Sequence, residues 1–336
     1  MNFYTPADLT RNLLDGATIA VLGFGNQGHA HALNLRDRGA RVVVGARRAG
    51  AGWNAAVREG FETREVGPAV ADADAVVVLL PDEVQGEVFA REIEPALKDG
   101  AVLVFAHGFA IAFGAVAPPR GHDVVLVAPK GQGHFLRRVF LDGTGLPCLI
   151  AVESDASGSA RAKALSYAHL IGCLDAGAIA TTFREEAVMD LFGEQAVLCG
   201  GVPELVKAAF ETLVQRGYAP EVAYLECLHE LKIISDLMFE GGLHHMRERI
   251  SATAAWGSFE SGPRIVTDET RRALGGILDD VESGNFARAW AEEARSGGAR
   301  LAARIRAEAA DPIERAGREV RSLMHRAHQP RRGRQP

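Results

Sequence analysis

Two pairs of carboxylates share one spacing: Asp190 and Glu194 lie four residues apart, and Glu226 and Glu230 repeat the interval. On a helix, residues i and i+4 share a face, so each pair projects from one side of its helix. Their neighbours are Leu191, Phe192, Ala196, Val197 and Leu198 in one segment, and Leu225, Leu228, Leu231, Ile233 and Ile234 in the other. An ionised carboxylate in such a setting is costly unless a cation compensates it. Four hard oxygen donors from two helices suit Mg²⁺ or Mn²⁺, and two ions sharing one carboxylate fit the same set. The competing reading is two amphipathic helices whose acids are merely solvated.

The elements around these acids begin with a β-rich run at 18–22 that ends in Gly23-Phe24-Gly25-Asn26-Gln27-Gly28 and passes into a helical pattern over 29–38. A second strand follows at 41–44. Strand, glycine turn, helix and strand is the context in which G-x-G-x-x-G binds a dinucleotide, its backbone lying close to a pyrophosphate held at the helix N-terminus. After the second strand stand Arg47 and Arg48, where an NAD-binding chain usually carries an acid for the ribose 2′-hydroxyl. Two guanidinium groups there suit a 2′-phosphate, so NADPH is expected over NADH; the alternative is a solvated basic loop.

Further strands at 75–80, 102–106 and 124–127 alternate with helices, which implies a doubly wound parallel sheet. Ligands gather at the carboxyl ends of such strands. His107 and Lys130 fall there, as candidates for proton handling or for binding an anionic group. A histidine after a strand is also a common turn residue. A last strand-like run spans 146–152. Beyond it the pattern is helical, over 183–200, 203–216, 220–240, 243–253, 269–283 and 285–309, with breaks at 217–220, at Gly241-Gly242 and at Ser261-Gly262-Pro263. The expected organisation is therefore an α/β cofactor domain over 1–182, an all-α domain over 183–328 and a disordered tail at 329–336.

The chain has 336 residues and a net charge of -6. That length holds two cores, and the charge argues against a general nucleic-acid surface. No apolar run reaches the roughly 18 residues of a membrane span, and the opening Met1-Asn2-Phe3-Tyr4-Thr5 lacks the pattern of an export signal. Cys148, Cys173, Cys199 and Cys227 stand singly, as reduced thiols of a cytoplasmic protein would.

The stretches GFGNQGHAHALNLRD, LLPDE, FAHGF, VAPKGQGH, TTFREE, DLFGEQAVLCGG and ECLHELK, with residues 250–262, resemble ketol-acid reductoisomerase in its short bacterial form, over residues 2–326. That resemblance implies a Rossmann domain for NADPH, a knotted helical domain with two Mg²⁺, and conversion of acetohydroxy acids to dihydroxy acids by alkyl migration and hydride transfer. It implies Asp190, Glu194, Glu226 and Glu230 as metal ligands, with Asp190 bridging. It also implies His107 as an active-site residue with Lys130 beside it, and Ser251 against the substrate carboxylate. NADPH would contact Phe24 to Gln27, Arg47, Arg48, Asp82, Glu83, Val84, Gln85 and Gly133. The two acidic pairs of one site would come from different subunits of an obligate homodimer. Glu230 is also a protonatable group for the reduction step.

Departures from the family pattern cluster around the retained acids. Asn26 stands where the family has Ser, Ala110 and Ala112 where it has Asn and His, Ala187-Val188-Met189 where it has Thr-Glu-Thr, and Gly50 and Gly52 where it has serines. Residues 252–256, Ala-Thr-Ala-Ala-Trp, replace Asn-Thr-Ala-Glu-Tyr. Groups around metal ligands orient them, so these changes bear on the isomerase half-reaction. An NADPH-dependent reductase of a cyclic imine or keto acid without isomerisation is the alternative enzyme reading. A catalytically idle NADP-binding protein would leave the four acids unexplained.

Overall fold

Alternation along buried strands builds the first unit. In β2 (Thr18–Leu22), Ile19 and Val21 join one apolar cluster while Ala20 and Leu22 join another. The same switch from face to face recurs along β5 (Ala75–Val78) and β6 (Val102–Phe105). A sheet apolar on both sides must be covered on both, and it is. Helices α1 (Asn26–Asp37), α6 (Gly133–Leu141) and α7 (Ala160–Leu170) contribute to one cluster. Helices α3 (Val66–Ala71), α5 (Phe109–Ala112) and α8 (Phe183–Gly193) contribute to the other. The remaining helices of this unit are α2 (Ala51–Arg58) and α4 (Asp82–Val88).

This computed structural model describes residues 2–328. The expected disordered tail, 329–336, lies outside the described residues.

The sheet has nine strands in the order β1-β9-β8-β7-β6-β5-β2-β3-β4, with β1 at Phe3–Tyr4, β3 at Arg41–Gly45, β4 at Glu62–Arg64, β7 at Asp123–Pro129, β8 at Cys148–Ser154 and β9 at Ala178–Ala180. From β4 to β7 the neighbours are parallel and the order is that of a dinucleotide-binding fold, with its switch point between β2 and β5. Beyond β7 the sheet is mixed: β8 runs antiparallel to β7, β9 parallel to β8, and β1 antiparallel to β9.

The chain divides into compact units at Asp190 and Leu191, inside the helical segment rather than before it at residue 182. The reason lies in the first turns of α8. Phe183 is buried against Phe105 of β6, ring centroids 6.0 Å apart, and Glu186 is buried with it.

The second unit is helical: α9 (Gly201–Gln215), α10 (Pro220–Tyr224), α11 (Leu231–Arg249), α12 (Ala252–Ile265), α13 (Asp268–Glu282), α14 (Asn285–Arg295), α15 (Ala299–Glu308) and α16 (Pro312–His328). Its core joins Val206 and Phe210 of α9, Ala223 and Tyr224 of α10, and Ile313, Ala316 and Val320 of α16. Gly242, at φ 81°, interrupts α11 where the glycine pair announced a break. The expected break at 261–263 is absent, and α12 runs through Pro263 to Ile265. Proline there costs one hydrogen bond near the helix end, where the carbonyl left free belongs to exposed Phe259. The long helix expected over 285–309 is split by Gly297 and Gly298, both left-handed.

Candidate active site

β6 and β7 are parallel neighbours, so the residues just past their carboxyl ends are brought side by side. His107 follows β6 and Lys130 follows β7. α8 crosses these ends and presents Glu186 and Asp190, four residues apart and therefore on one helix face. Lys130 Nζ donates to Glu186 Oε1 at 2.7 Å and to Asp190 Oδ1 at 2.8 Å. Glu186 Oε2 accepts from the Gly108 amide at 2.7 Å and lies 3.0 Å from His107 Nδ1, while Asp190 Oδ2 stands 3.7 Å from the same nitrogen. Phe109 stacks on the imidazole, centroids 6.1 Å apart. A Cβ on Gly108 would sit 2.2 Å from the Phe183 carbonyl oxygen, so glycine is what lets the β6 turn rest on the start of α8.

Opposite charges decide the protonation of this cluster. Burial alone would push the Glu186 carboxyl up, but its hydrogen bond from His107 and the charges of His107 and Lys130 outweigh burial and hold it below its ordinary range. Burial would likewise lower His107 and Lys130, yet the carboxylates around them leave both raised. Asp82, half-buried at the start of α4, is raised by burial against the opposing charge of His107. The result is a polar tetrad with Glu186 at its centre, only 1 % exposed. Sequence reasoning named His107, Lys130 and Asp190 but not Glu186. Its signal was present, since stepping the Asp190 and Glu194 interval back one turn lands on it.

The dinucleotide residues line the switch point. Gly23 has φ 93°, and a Cβ there would lie 2.6 Å from the Leu79 carbonyl oxygen of the neighbouring strand end. A Cβ on Gly28 would meet the Gly23 oxygen at 2.1 Å, and one on Gly133 would meet the Asn26 oxygen at 2.0 Å. Gly25 faces open space, no side chain caps α1, and the first amides of the helix, from Asn26 onward, are free to face an anion. Gln27 donates to the Gly131 carbonyl, and Gln85 to the Leu80 carbonyl and Asp82. The side-chain oxygen of each is buried without a hydrogen-bond partner among the described residues. An orphaned acceptor on Gln27, in the first turn of an uncapped helix, fits a ligand with phosphates and amide or hydroxyl donors. Glu83 and Val84 are exposed on the first turn of α4. Arg47 and Arg48 are exposed after β3 and pair with no carboxylate among the described residues; the Gly50 amide closes their turn on the Arg47 carbonyl at 2.9 Å.

In the second unit the acids are set differently. Glu194 opens a wide five-residue turn, its carbonyl accepting from Cys199 N, and the Glu230 amide closes another on Leu225. The regular helix expected around each pair is thus interrupted by a π-type turn, a feature frequent at functional sites. Glu194, Glu226 and Glu230 are exposed in the chain, rather than sunk among the apolar neighbours expected around them. Ser251 caps α12, its Oγ accepting from Ala254 N at 3.1 Å, which leaves the hydroxyl proton for another acceptor. Oxygen donors of this type suit a hard divalent cation.

Two family models match the chain in order. The acetohydroxy acid isomeroreductase NADPH-binding domain covers residues 13–177, and the ketol-acid reductoisomerase C-terminal domain covers residues 183–326. Among solved structures, an NADH-preferring ketol-acid reductoisomerase from an uncultured archaeon is 40% identical, with a TM-score of 0.93 over 96% of this chain and 99% of that one. A semialdehyde dehydrogenase NAD-binding protein from Cupriavidus necator (18% identity, TM-score 0.61, 80% of this chain and 99% of that one) shares the fold alone. So does a pyrroline-5-carboxylate reductase from Coxiella burnetii (14%, 0.55, 80% and 98%). Both domains in sequence, with a structural match across nearly the whole chain, establish that this NAD(P)-binding oxidoreductase belongs to the ketol-acid reductoisomerase family.

Proposed function

We propose that the chain converts 2-acetolactate and related acetohydroxy acids to 2,3-dihydroxy acids with NADPH and two Mg²⁺, as a cytoplasmic homodimer. The observation that carries this reading is the Glu186-centred tetrad at the carboxyl ends of β6 and β7, because it supplies a proton carrier and an ammonium beside the aspartate proposed to bind metal. Held by Asp190, Glu194, Glu226 and Glu230, two divalent cations would supply Lewis acidity toward substrate oxygens, and a nicotinamide bound at the Gly23–Gly28 turn would supply hydride. With Nδ1 committed to Glu186, His107 offers Nε2 to substrate. Lys130 spends two N–H groups on Glu186 and Asp190 and keeps a third for a substrate oxygen. Asp190, Glu194, Glu226 and Glu230 are the proposed cation ligands, Glu230 doubling as the acid for the reduction and Ser251 holding the substrate carboxylate.

NADPH is favoured by Arg47 and Arg48, exposed after β3 and paired with no carboxylate among the described residues. The archaeal relative's preference for NADH belongs to that protein. A dimer is supported by the apolar side chains of the helical unit, with Phe239 83% and Trp256 70% exposed beside Ile233, Leu243 and Phe259. Monomers seldom leave so many large apolar groups in water. No helix among the described residues is long and apolar enough to cross a membrane.

A stopped assay with 2-acetolactate, NADPH and Mg²⁺ tests the reading. Turnover abolished by EDTA is expected. Chelator-resistant reduction of 3-hydroxy-3-methyl-2-ketobutyrate or a cyclic imine, without consumption of 2-acetolactate, would replace it with the reductase-only alternative.

A further inference from the structure

His107, Glu186 and Asp190 could be taken for a three-ligand cation site, since one ligand atom from each lies within 4.8 Å of the others. The hydrogen bonds argue otherwise. Glu186 Oε2 already accepts from the Gly108 amide and pairs with His107, and Oε1 accepts from Lys130. Asp190 Oδ1 is likewise committed to Lys130 Nζ at 2.8 Å, while Oδ2 lies 3.7 Å from His107 Nδ1, outside hydrogen-bond reach. The position between the Glu186 and Asp190 carboxylates is therefore held by an ammonium of the chain itself.

We propose that Lys130 is a built-in competitor for the divalent cation at Asp190, bridging Asp190 to Glu186 so that a cation drawing on Asp190 works against the Lys130–Asp190 ion pair. The inference rests on the reading of Asp190 as a cation ligand. Two effects act with the same sign. A dication drawing on Asp190 sits a few ångströms from a fixed positive charge and is repelled by it. Removing that charge also leaves two carboxylates on adjacent turns of α8 with His107 as their remaining cationic partner, which favours a cation that replaces the ammonium. If Lys130 instead pre-orients Asp190 for the cation, its loss weakens binding. The sign of the change separates the two roles, and neither requires turnover to be measured.

The test uses the full-length protein and Mn²⁺ as probe, with free Mn²⁺ read by electron paramagnetic resonance and bound Mn²⁺ read again as a shift in melting temperature. Lys130→Met is expected to bind Mn²⁺ more tightly, on the order of tenfold, and to show the larger shift. Lys130→Arg, which keeps the charge, is expected to stay within about threefold of the parent. Lys130→Gln carries the same expectation as Met and serves should Met not fold. Unchanged or weaker Mn²⁺ binding in the neutral variants overturns the inference. Equal Mn²⁺ binding by the parent and by Asp190→Asn overturns the ligand reading beneath it, and the inference with it.

Discussion

The sheet unit and the helical unit carry their polar groups in opposite ways. Every buried polar or charged side chain among the described residues lies in the sheet unit: Thr18, His31, Asn34, Gln85, Asp123, Ser166 and Glu186. Glu186 has both oxygens satisfied by neighbours from its own chain. In the helical unit the acids Glu226 and Glu230 are exposed, and large apolar side chains are exposed with them. A buried ion network holds only where every partner is in place, and around Glu186 this chain supplies them all. Exposed acids beside exposed apolar surface mark a half-site that a second chain is proposed to complete.

The largest expected effect comes from breaking the finished half. Glu186→Gln leaves the charges of His107 and Lys130 without their buried counter-ion, for a loss of about 3 to 5 kcal/mol in denaturant unfolding. The same change at exposed Glu226, Glu226→Gln, is expected to cost under about 0.5 kcal/mol. Similar losses at both positions would erase the contrast.

Acid sharpens the comparison further. His31 is fully buried, its Nδ1 2.7 Å from the Tyr167 hydroxyl, and burial lowers its pKa from 6.5 to about 3. The unfolded chain therefore takes up this proton first as pH falls. The stabilisation is complete above pH 6.5 and is lost on descent toward pH 3, about 2 kcal/mol of it by pH 5. His107, raised in the fold, contributes with the opposite sign, its stabilisation being present below 6.5 and lost as pH rises through its folded value. Chemical denaturation at pH 7.5 and pH 5 should show the His31 loss in the parent and a smaller one in His31→Phe. Equal slopes in the two proteins would remove His31 from the account.

A smaller effect concerns the loop after β3. Replacing Arg47 and Arg48 by Ser should weaken NADPH by about 1 to 3 kcal/mol and leave NADH unchanged, as read by fluorescence titration of each cofactor. Parallel weakening of both would show that the arginines act on the loop rather than on a 2′-phosphate.

Much of the sheet unit was legible because its signals are local. Alternation between faces, Gly23-Phe24-Gly25 before a helix, and chemically distinct residues at strand ends each follow from a few neighbouring positions. β1, β4 and β9 were not legible, being two or three residues long, and neither was the antiparallel turn of β8 against β7, since strand direction leaves no mark on side-chain periodicity. Glu186 was missed because a carboxylate reads as solvated until the fold delivers a histidine and a lysine from two other strands. The wide turns at Glu194 and Leu225 escaped because a 3.6-residue period cannot register one turn with an extra residue.

The proposed division of the site between chains is open to direct measurement by subunit mixing. Asp190→Asn breaks the sheet-unit half and Glu226→Gln the helical half, so each homodimer is expected to be inactive. After exchange, half of the dimers are mixed, and each mixed dimer carries one intact site of two. Activity with 2-acetolactate should then rise to about a quarter of the parent. Exchange demonstrated by differential tags with no recovered activity would contradict the account.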